Sequence, residues 1–181
     1  MAIIFRNLNA KEEQTLKENL FYWLNEDQAI DFFERNCFMI AEGKWKEIFI
    51  ITKAIQKLLL ENKTITPYSA GLGFGEFRNQ MVYLSLSGAS YIIQLTDKKA
   101  VISNEGEQPF LYQKHVFAKS VIRCSQICKV DEKIIVTNQL GDFLGIGQLK
   151  ITVNKLKIED LANQIAIYNL MDLGWYLRKG K

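Results

Sequence analysis

The chain is poor in the residues that build metal sites. It has one histidine, His115, and three cysteines in 181 residues. Cys124 and Cys128 stand four apart, which is not the spacing of a C-x-x-C redox or zinc motif. We therefore expect buried thiols, no metal site and no cofactor.

Long apolar runs are also missing. No stretch of about 18 residues is apolar and free of charge, and the N-terminus lacks a basic segment followed by an apolar run and a small-residue cleavage site. We expect a soluble, intracellular protein with no membrane partner. A composition of 48% apolar and 24% charged residues is ordinary for globular proteins, and the length allows one large domain or two small ones.

The common catalytic motifs are absent. There is no G-x-S-x-G, no H-E-x-x-H and no spaced acidic pair, so a nucleophile and base could come only from His115 with Cys124 or Cys128. The glycines at 71, 73 and 75 lack the Gly-Lys-Ser/Thr ending of a P-loop, and Glu76 stands where a dinucleotide fingerprint needs glycine. We interpret them as a structural turn that passes close to a neighbouring element, and we expect no enzymatic activity.

The positive charge is unevenly distributed. Residues 1–95 carry ten Lys/Arg against eleven Asp/Glu, whereas residues 96–181 carry thirteen against nine. The basic excess lies wholly in the second half, as expected if that half meets a polyanion.

Helical and strand patterns alternate in the first half. Asn9, with Glu12 three residues later, predicts a capped helix. Further predicted elements are a helix around Ala29 to Glu34, a hairpin turning at Glu42 to Lys44, a helix capped by Thr52 and ended by Thr66-Pro67, and a strand from Met81 to Leu86. The first half is therefore expected to be mixed α and β with local connections.

The pattern changes near residue 96 to short β-rich runs separated by turn residues, which is typical of a small barrel. The predicted strands cover Ala100 to Ile102, Ile134 to Thr137, Phe143 to Ile151 and Ile165 to Tyr168, with one helix from Gln108 to Ala118 that has Pro109 in its first turn. Gly145 and Gly147 within a strand fit either a tight barrel corner or a groove where a nucleotide lies against backbone. We place a domain boundary near residue 96, where the pattern changes, giving domains 1–95 and 96–181.

Four motifs occur in an order that resembles the Nip-seven family of large-ribosomal-subunit assembly factors. They are Pro67-Tyr68-Ser69 with Gly71 and Gly75, Pro109 to Tyr112 with His115-Val116, Gly141 to Gly147, and Asn169-Leu170 with Asp172, Gly174 and Leu177-Arg178. The resemblance implies an α+β fold, with an N-terminal antiparallel α/β domain that meets partners and a C-terminal PUA-type β pseudobarrel that binds RNA.

The resemblance also implies a non-catalytic role in ribosome biogenesis and rRNA processing, with single-stranded, A/U-rich RNA held between a helix and the last strands. The implied partners are pre-ribosomal RNA, ribosome assembly proteins and the RNA exosome, for a monomer in the cytoplasm, or in the nucleolus if eukaryotic. The candidate RNA-binding residues are Gln113, Lys114, His115, Lys119, Gln148, Lys150, Lys155, Lys157, Arg178 and Lys179.

The last strand departs from the archaeal pattern. A run of basic residues is expected there, but this chain has Gln164, Ile165, Tyr168 and Met171. The missing basic residues keep open an adaptor that binds only protein. Because PUA domains are often attached to RNA-modification enzymes, such an enzyme or its accessory subunit also stays open.

Overall fold

The computed structural model describes residues 3–62 and 64–178, and the chain divides into two compact units between Leu95 and Thr96. Each unit has its own core. One buried apolar cluster draws only on residues between Phe5 and Leu59, and another only on residues between Ala100 and Ile167. Within the described part of the chain, no helix has the length and apolar character needed to cross a bilayer.

The described residues of the first unit form an antiparallel sheet and four helices. Its strands lie in sequence order β1-β2-β3-β4-β5, each hydrogen-bonded to the next. The elements are β1 Ile4–Asn7, α1 Ala10–Trp23, α2 Glu26–Arg35, β2 Cys37–Glu42, β3 Lys46–Ile51, α3 Lys53–Glu61, β4 Leu72–Arg78, β5 Met81–Leu84 and α4 Leu86–Ile92. The predicted mixed α and β architecture is confirmed.

Local capping explains where the helices of this unit begin. The Asn9 side chain accepts from the Glu12 backbone N–H at 2.9 Å, and the Glu12 carboxylate accepts from the Asn9 backbone N–H at 3.0 Å, so the predicted cap is confirmed. Thr52 caps α3 as expected. The predicted end of α3 at Thr66-Pro67 was wrong, because the backbone and side-chain amides of Asn62 both bond to the Leu58 carbonyl and end the helix at Glu61.

The glycine-rich segment is a strand and not the turn that the sequence indicated. Only Gly71 has a left-handed conformation, with φ of 67°, and β4 starts at the next residue. A Cβ on Gly71 would lie 2.3 Å from the Ile50 carbonyl oxygen, and one on Gly75 would lie 2.4 Å from that of Tyr83. The expected close approach to neighbouring elements is confirmed, since these glycines let β4 lie tightly between β3 and β5.

In the described residues, the second unit contains a six-stranded sheet in the order β7-β11-β10-β9-β6-β8, in which β6 and β9 are parallel and the other neighbouring strands are antiparallel. Its elements are β6 Lys99–Ile102, α5 Asn104–Leu111, β7 Val116–Phe117, β8 Val121–Cys124, β9 Lys133–Thr137, β10 Phe143–Leu149, β11 Ile165–Asp172 and α6 Gly174–Arg178, with short 3-10 turns at Ala118–Ser120, Val153–Lys155 and Glu159–Leu161. The predicted near-barrel arrangement of short strands is confirmed.

The predicted helix from Gln108 to Ala118 was wrong. The helix begins at Asn104, because the backbone N–H groups of Gly106 and Glu107 bond to the Ser103 carbonyl, and it ends at Leu111. Pro109 is its sixth residue and not part of its first turn. The predicted helix placed Gln113, Lys114 and His115 on a helical face, and the structure places them in the loop from α5 to β7.

Candidate nucleic-acid interface

The loop between α5 and β7 leaves the helix through a left-handed residue. Gln113 has φ of 64°, and the Lys114 backbone N–H turns back to the Pro109 carbonyl at 3.0 Å. Gln113, Lys114 and His115 are all exposed in this loop. The loop therefore presents these three candidate RNA-binding side chains at the start of β7.

A row of side chains crosses the sheet from this loop. Val116 pairs with Ile167, which brings the preceding His115 beside Tyr168. Tyr168 pairs with Gln148, and Gln148 pairs with Lys133. Residues directly opposite on antiparallel strands point to the same face. We call His115, Tyr168, Gln148 and Lys133 the cross-strand row.

The two rings of the row are stacked. The centroids of His115 and Tyr168 are 4.5 Å apart and the rings are inclined by 20°. The His115 Nδ1 accepts a hydrogen bond from the Asn169 backbone N–H at 3.2 Å, which fixes the rotation of the imidazole. The Lys150 Nζ lies 5.0 Å from the Tyr168 centroid. An aromatic pair and a cation therefore occupy one end of the row.

Lys150, Gln148 and Lys133 supply polar groups beside the rings. Lys150 pairs with Asp131, and the Gln148 amide donates to the Asp131 carbonyl at 2.9 Å. Burial lowers the pKa of Lys133, which is only partly exposed. The structure thus brings three of the predicted residues together, namely His115, Gln148 and Lys150.

The other predicted lysines stand apart from the row. Lys119 follows β7, 6.0 Å from the Phe117 ring, and Lys114 is exposed in the loop. Lys155 and Lys157 are exposed on the segment after β10. No contact in the described ranges joins these four ammonium groups to the row, and Lys179 lies outside the described residues.

Arg178 belongs to a hydrogen-bond network that connects β11 and α6 to the end of α5. Its guanidinium donates to both carboxylate oxygens of the buried Asp172, at 3.0 and 3.1 Å, and to the Leu111 carbonyl. The Asn169 amide donates to the Phe110 carbonyl at 2.6 Å and to Asp172 at 3.1 Å. Residues of the fourth family motif therefore connect β11 and α6 to the carbonyls at the end of α5 by hydrogen bonds.

The strand glycines fit packing and not a nucleotide groove. Gly145 and Gly147 are buried. A Cβ on Gly145 would lie 2.2 Å from the Met171 carbonyl oxygen, and one on Gly147 would lie 2.3 Å from the Ile167 Cγ2. Of the two interpretations left open, the tight corner is the one that the geometry supports.

The sequence alone does not reveal that Tyr168 and Lys133 belong to the cross-strand row. In the sequence, Tyr168 stands out only because a basic residue is expected there, and no motif marks Lys133. Ring stacking between positions 53 residues apart depends on the pairing of β7 with β11, and β7 is only two residues long. No sequence pattern marked that pairing.

Comparison with known proteins supports two domains of one family. The UPF0113 PUA domain model matches residues 98–181, and the NIP7/UPF0113 pre-PUA domain model matches residues 5–86. A UPF0113 protein of Archaeoglobus fulgidus is 29% identical over 179 residues, covering 98% of this chain and 96% of the relative. A 60S ribosome subunit biogenesis protein, nip7, of Schizosaccharomyces pombe is 24% identical over 178 residues, covering 96% of each.

Solved structures agree on the fold. A conserved PUA domain protein from Thermoplasma acidophilum has a TM-score of 0.67 at 13% identity, over 97% of this chain and 98% of that one. A PUA domain protein from Aeropyrum pernix K1, in complex with tartrate, has a TM-score of 0.67 at 13% identity, over 98% of this chain and 91% of that one. The expected PUA-type fold is confirmed.

Proposed function

The chain belongs to the NIP7/UPF0113 family, and from that premise we propose that it is a non-catalytic RNA-binding factor in biogenesis of the large ribosomal subunit. The RNA contact lies in the PUA unit. The observation that carries the proposal is the cross-strand row with Lys150, which combines exposed rings, an amide and a cation on one sheet face. Single-stranded RNA modules hold unpaired bases and phosphates with this combination of groups.

Lysines outside the row supply the electrostatic part of binding. Lys114, Lys119, Lys155 and Lys157 are exposed and make no ion pair within residues 3–62 and 64–178, so each is available to a phosphate. Lys179 lies outside the described residues and adds a further positive charge directly after Arg178 in the sequence. Arg178 is proposed to act mainly within the fold, because its guanidinium is occupied by Asp172 and Leu111.

The finer parts of the proposal concern the ligand and the partners. We propose single-stranded, A/U-rich pre-ribosomal RNA as the ligand. The first unit, with a net charge of −1 in residues 1–95, is assigned to protein partners, among them ribosome assembly proteins and the RNA exosome. The protein is proposed to act as a monomer where large subunits assemble, in the cytoplasm or the nucleolus.

Crosslinking in cells followed by sequencing of the bound RNA tests the proposal. Enrichment of large-subunit rRNA precursor over mature rRNA and mRNA is the expected result. Enrichment at sites of a base modification would favour an accessory role in RNA modification. Recovery of protein partners without RNA would favour the adaptor, the function that the uncharged Gln164, Ile165, Tyr168 and Met171 keep open.

A further inference from the structure

We propose that the His115–Tyr168 stack is a docking platform for one unpaired RNA base, which adds to the face of the His115 imidazole that Tyr168 does not cover. This inference rests on the proposed RNA-binding function and specifies how the RNA is held. Tyr168 acts as a positioning residue, since it supports the imidazole from behind.

The geometry prepares the stack before RNA arrives. The rings already lie 4.5 Å apart at 20°, and the bond from the Asn169 backbone N–H holds the imidazole in that plane. His115 is exposed as a residue, and one face of its ring lies on Tyr168, so the base is assigned to the opposite face. A base can extend the stack without reordering either ring, which lowers the entropic cost of binding.

An amide and a cation flank the supporting ring of the stack. Gln148 is the Cα partner of Tyr168, and the Lys150 Nζ lies 5.0 Å from the Tyr168 ring, so both come from the β10 side of Tyr168 and support the stack from the side opposite the docked base. A purely structural contact between two rings does not require an amide and an ammonium group beside it. Rings flanked by an amide and a cation on one sheet face resemble the way RNA-binding sheets hold splayed bases.

The platform narrows the class of RNA. The bases of a duplex are stacked on each other and cannot reach a protein ring, so the ligand must be single-stranded. Stacking strength sets the sequence preference at such a site, and adenine has a larger ring system than uracil. Within A/U-rich RNA, the adenines are therefore the preferred bases.

The test uses the full chain and an A-rich oligoribonucleotide of about eight nucleotides that contains one 2-aminopurine. Stacking on the imidazole quenches 2-aminopurine, and anisotropy reports affinity on the same sample. His115→Ala is expected to weaken binding about tenfold and to remove the quenching, whereas His115→Phe retains both. Tyr168→Leu is expected to reduce the quenching, and Tyr168→Phe to preserve it.

Two controls separate stacking from other effects. Tyr176→Ala removes an exposed ring outside the row and is expected to leave affinity and quenching unchanged. An abasic oligomer with the same number of phosphates is expected to bind about tenfold more weakly than the A-rich RNA. Circular dichroism melting checks that each variant is folded.

The two hypotheses fail in different ways. If the parent protein binds no RNA even at low salt, the proposed function is overturned and the platform with it. If the parent binds RNA but His115→Ala and the abasic oligomer both bind as tightly as their references, the platform alone is overturned. RNA binding through lysine contacts would then stand.

Discussion

Arg178 shows at the scale of one residue why a basic side chain in the PUA unit need not contact RNA. Asp172 is 1% exposed and its carboxylate depends on Arg178 and Asn169. Removing Arg178 leaves a buried carboxylate without its cation, a change that typically costs several kcal/mol.

We therefore expect Arg178→Ala to lower the free energy of unfolding of the PUA unit by roughly 3 kcal/mol, with little change in RNA affinity of the folded protein. Thermal melting and RNA anisotropy measure the two effects. Arg123→Ala, an exposed arginine on β8, is the matched control and should change neither. An unchanged melting temperature together with weakened RNA binding would assign Arg178 to the RNA instead.

Lys155 and Lys157 test the electrostatic part of binding. Both are exposed, and a phosphate contact at each would release a counterion. The double variant to alanine should weaken binding of all RNA sequences alike and lower the slope of log affinity against log salt by about 1 to 2. Lys57→Ala in the first unit is the control. A slope equal to that of the parent would show that the two lysines are only a solvated surface.

Helix α1 is joined to the sheet of the first unit by a charged cluster at its first turn. The Glu12 carboxylate accepts two bonds from Arg6, at 2.7 and 2.8 Å, one from Lys46 at 3.2 Å and one from the Asn9 backbone. The bonds from Arg6 contribute most to lowering the pKa of Glu12 to about 2, against the opposing effect of burial.

This cluster predicts an acid-sensitive element. Because the pKa of Glu12 is lower in the folded state, its contribution to stability is complete above pH 4.5 and is lost as the pH falls toward 2. A pKa of about 2 instead of 4.5 corresponds to roughly 3 kcal/mol. Glu12→Gln should therefore destabilise the first unit at pH 7 and lose that effect near pH 2. Urea unfolding followed by hydrogen exchange in α1 measures the difference in free energy of unfolding between the parent and Glu12→Gln at each pH. Glu13→Gln is the control. A difference that does not change with pH would contradict the assignment.

The caps of α1 and α3 could be predicted from the sequence, whereas strand β7 and the end of α5, which depend on residues distant in the chain, could not. The caps at Asn9 and Thr52 need only neighbouring residues. Strand β7 has only two residues and forms because it pairs with β11. The last carbonyls of α5, those of Phe110 and Leu111, accept hydrogen bonds from Asn169 and Arg178, which lie far along the chain. For the same reason the candidate lysines were visible in the sequence, but the His115–Tyr168 stack was not.

The two units of the whole molecule differ in charge, and this difference predicts where RNA affinity lies. Residues 1–95 have a net charge of −1 and residues 96–181 have +4. Each unit has its own buried core. A fragment beginning at residue 96 should keep RNA affinity within a few-fold of the full chain, with a salt slope of roughly 2 to 3, and residues 1–95 should bind none. Anisotropy with the same RNA measures both, and affinity found only in the full chain would contradict the assignment.

The position of β11 has a consequence for how the protein is made. This strand lies between β7 and β10, yet it comes last among the strands in sequence. During synthesis the first unit can complete its sheet early, whereas the second must wait with two unpaired strand edges until residues 165–172 have left the ribosome. Open edges of this kind pair readily with other chains. A chain that stops short of Ile165 should therefore aggregate as a nascent product even though its first unit has folded.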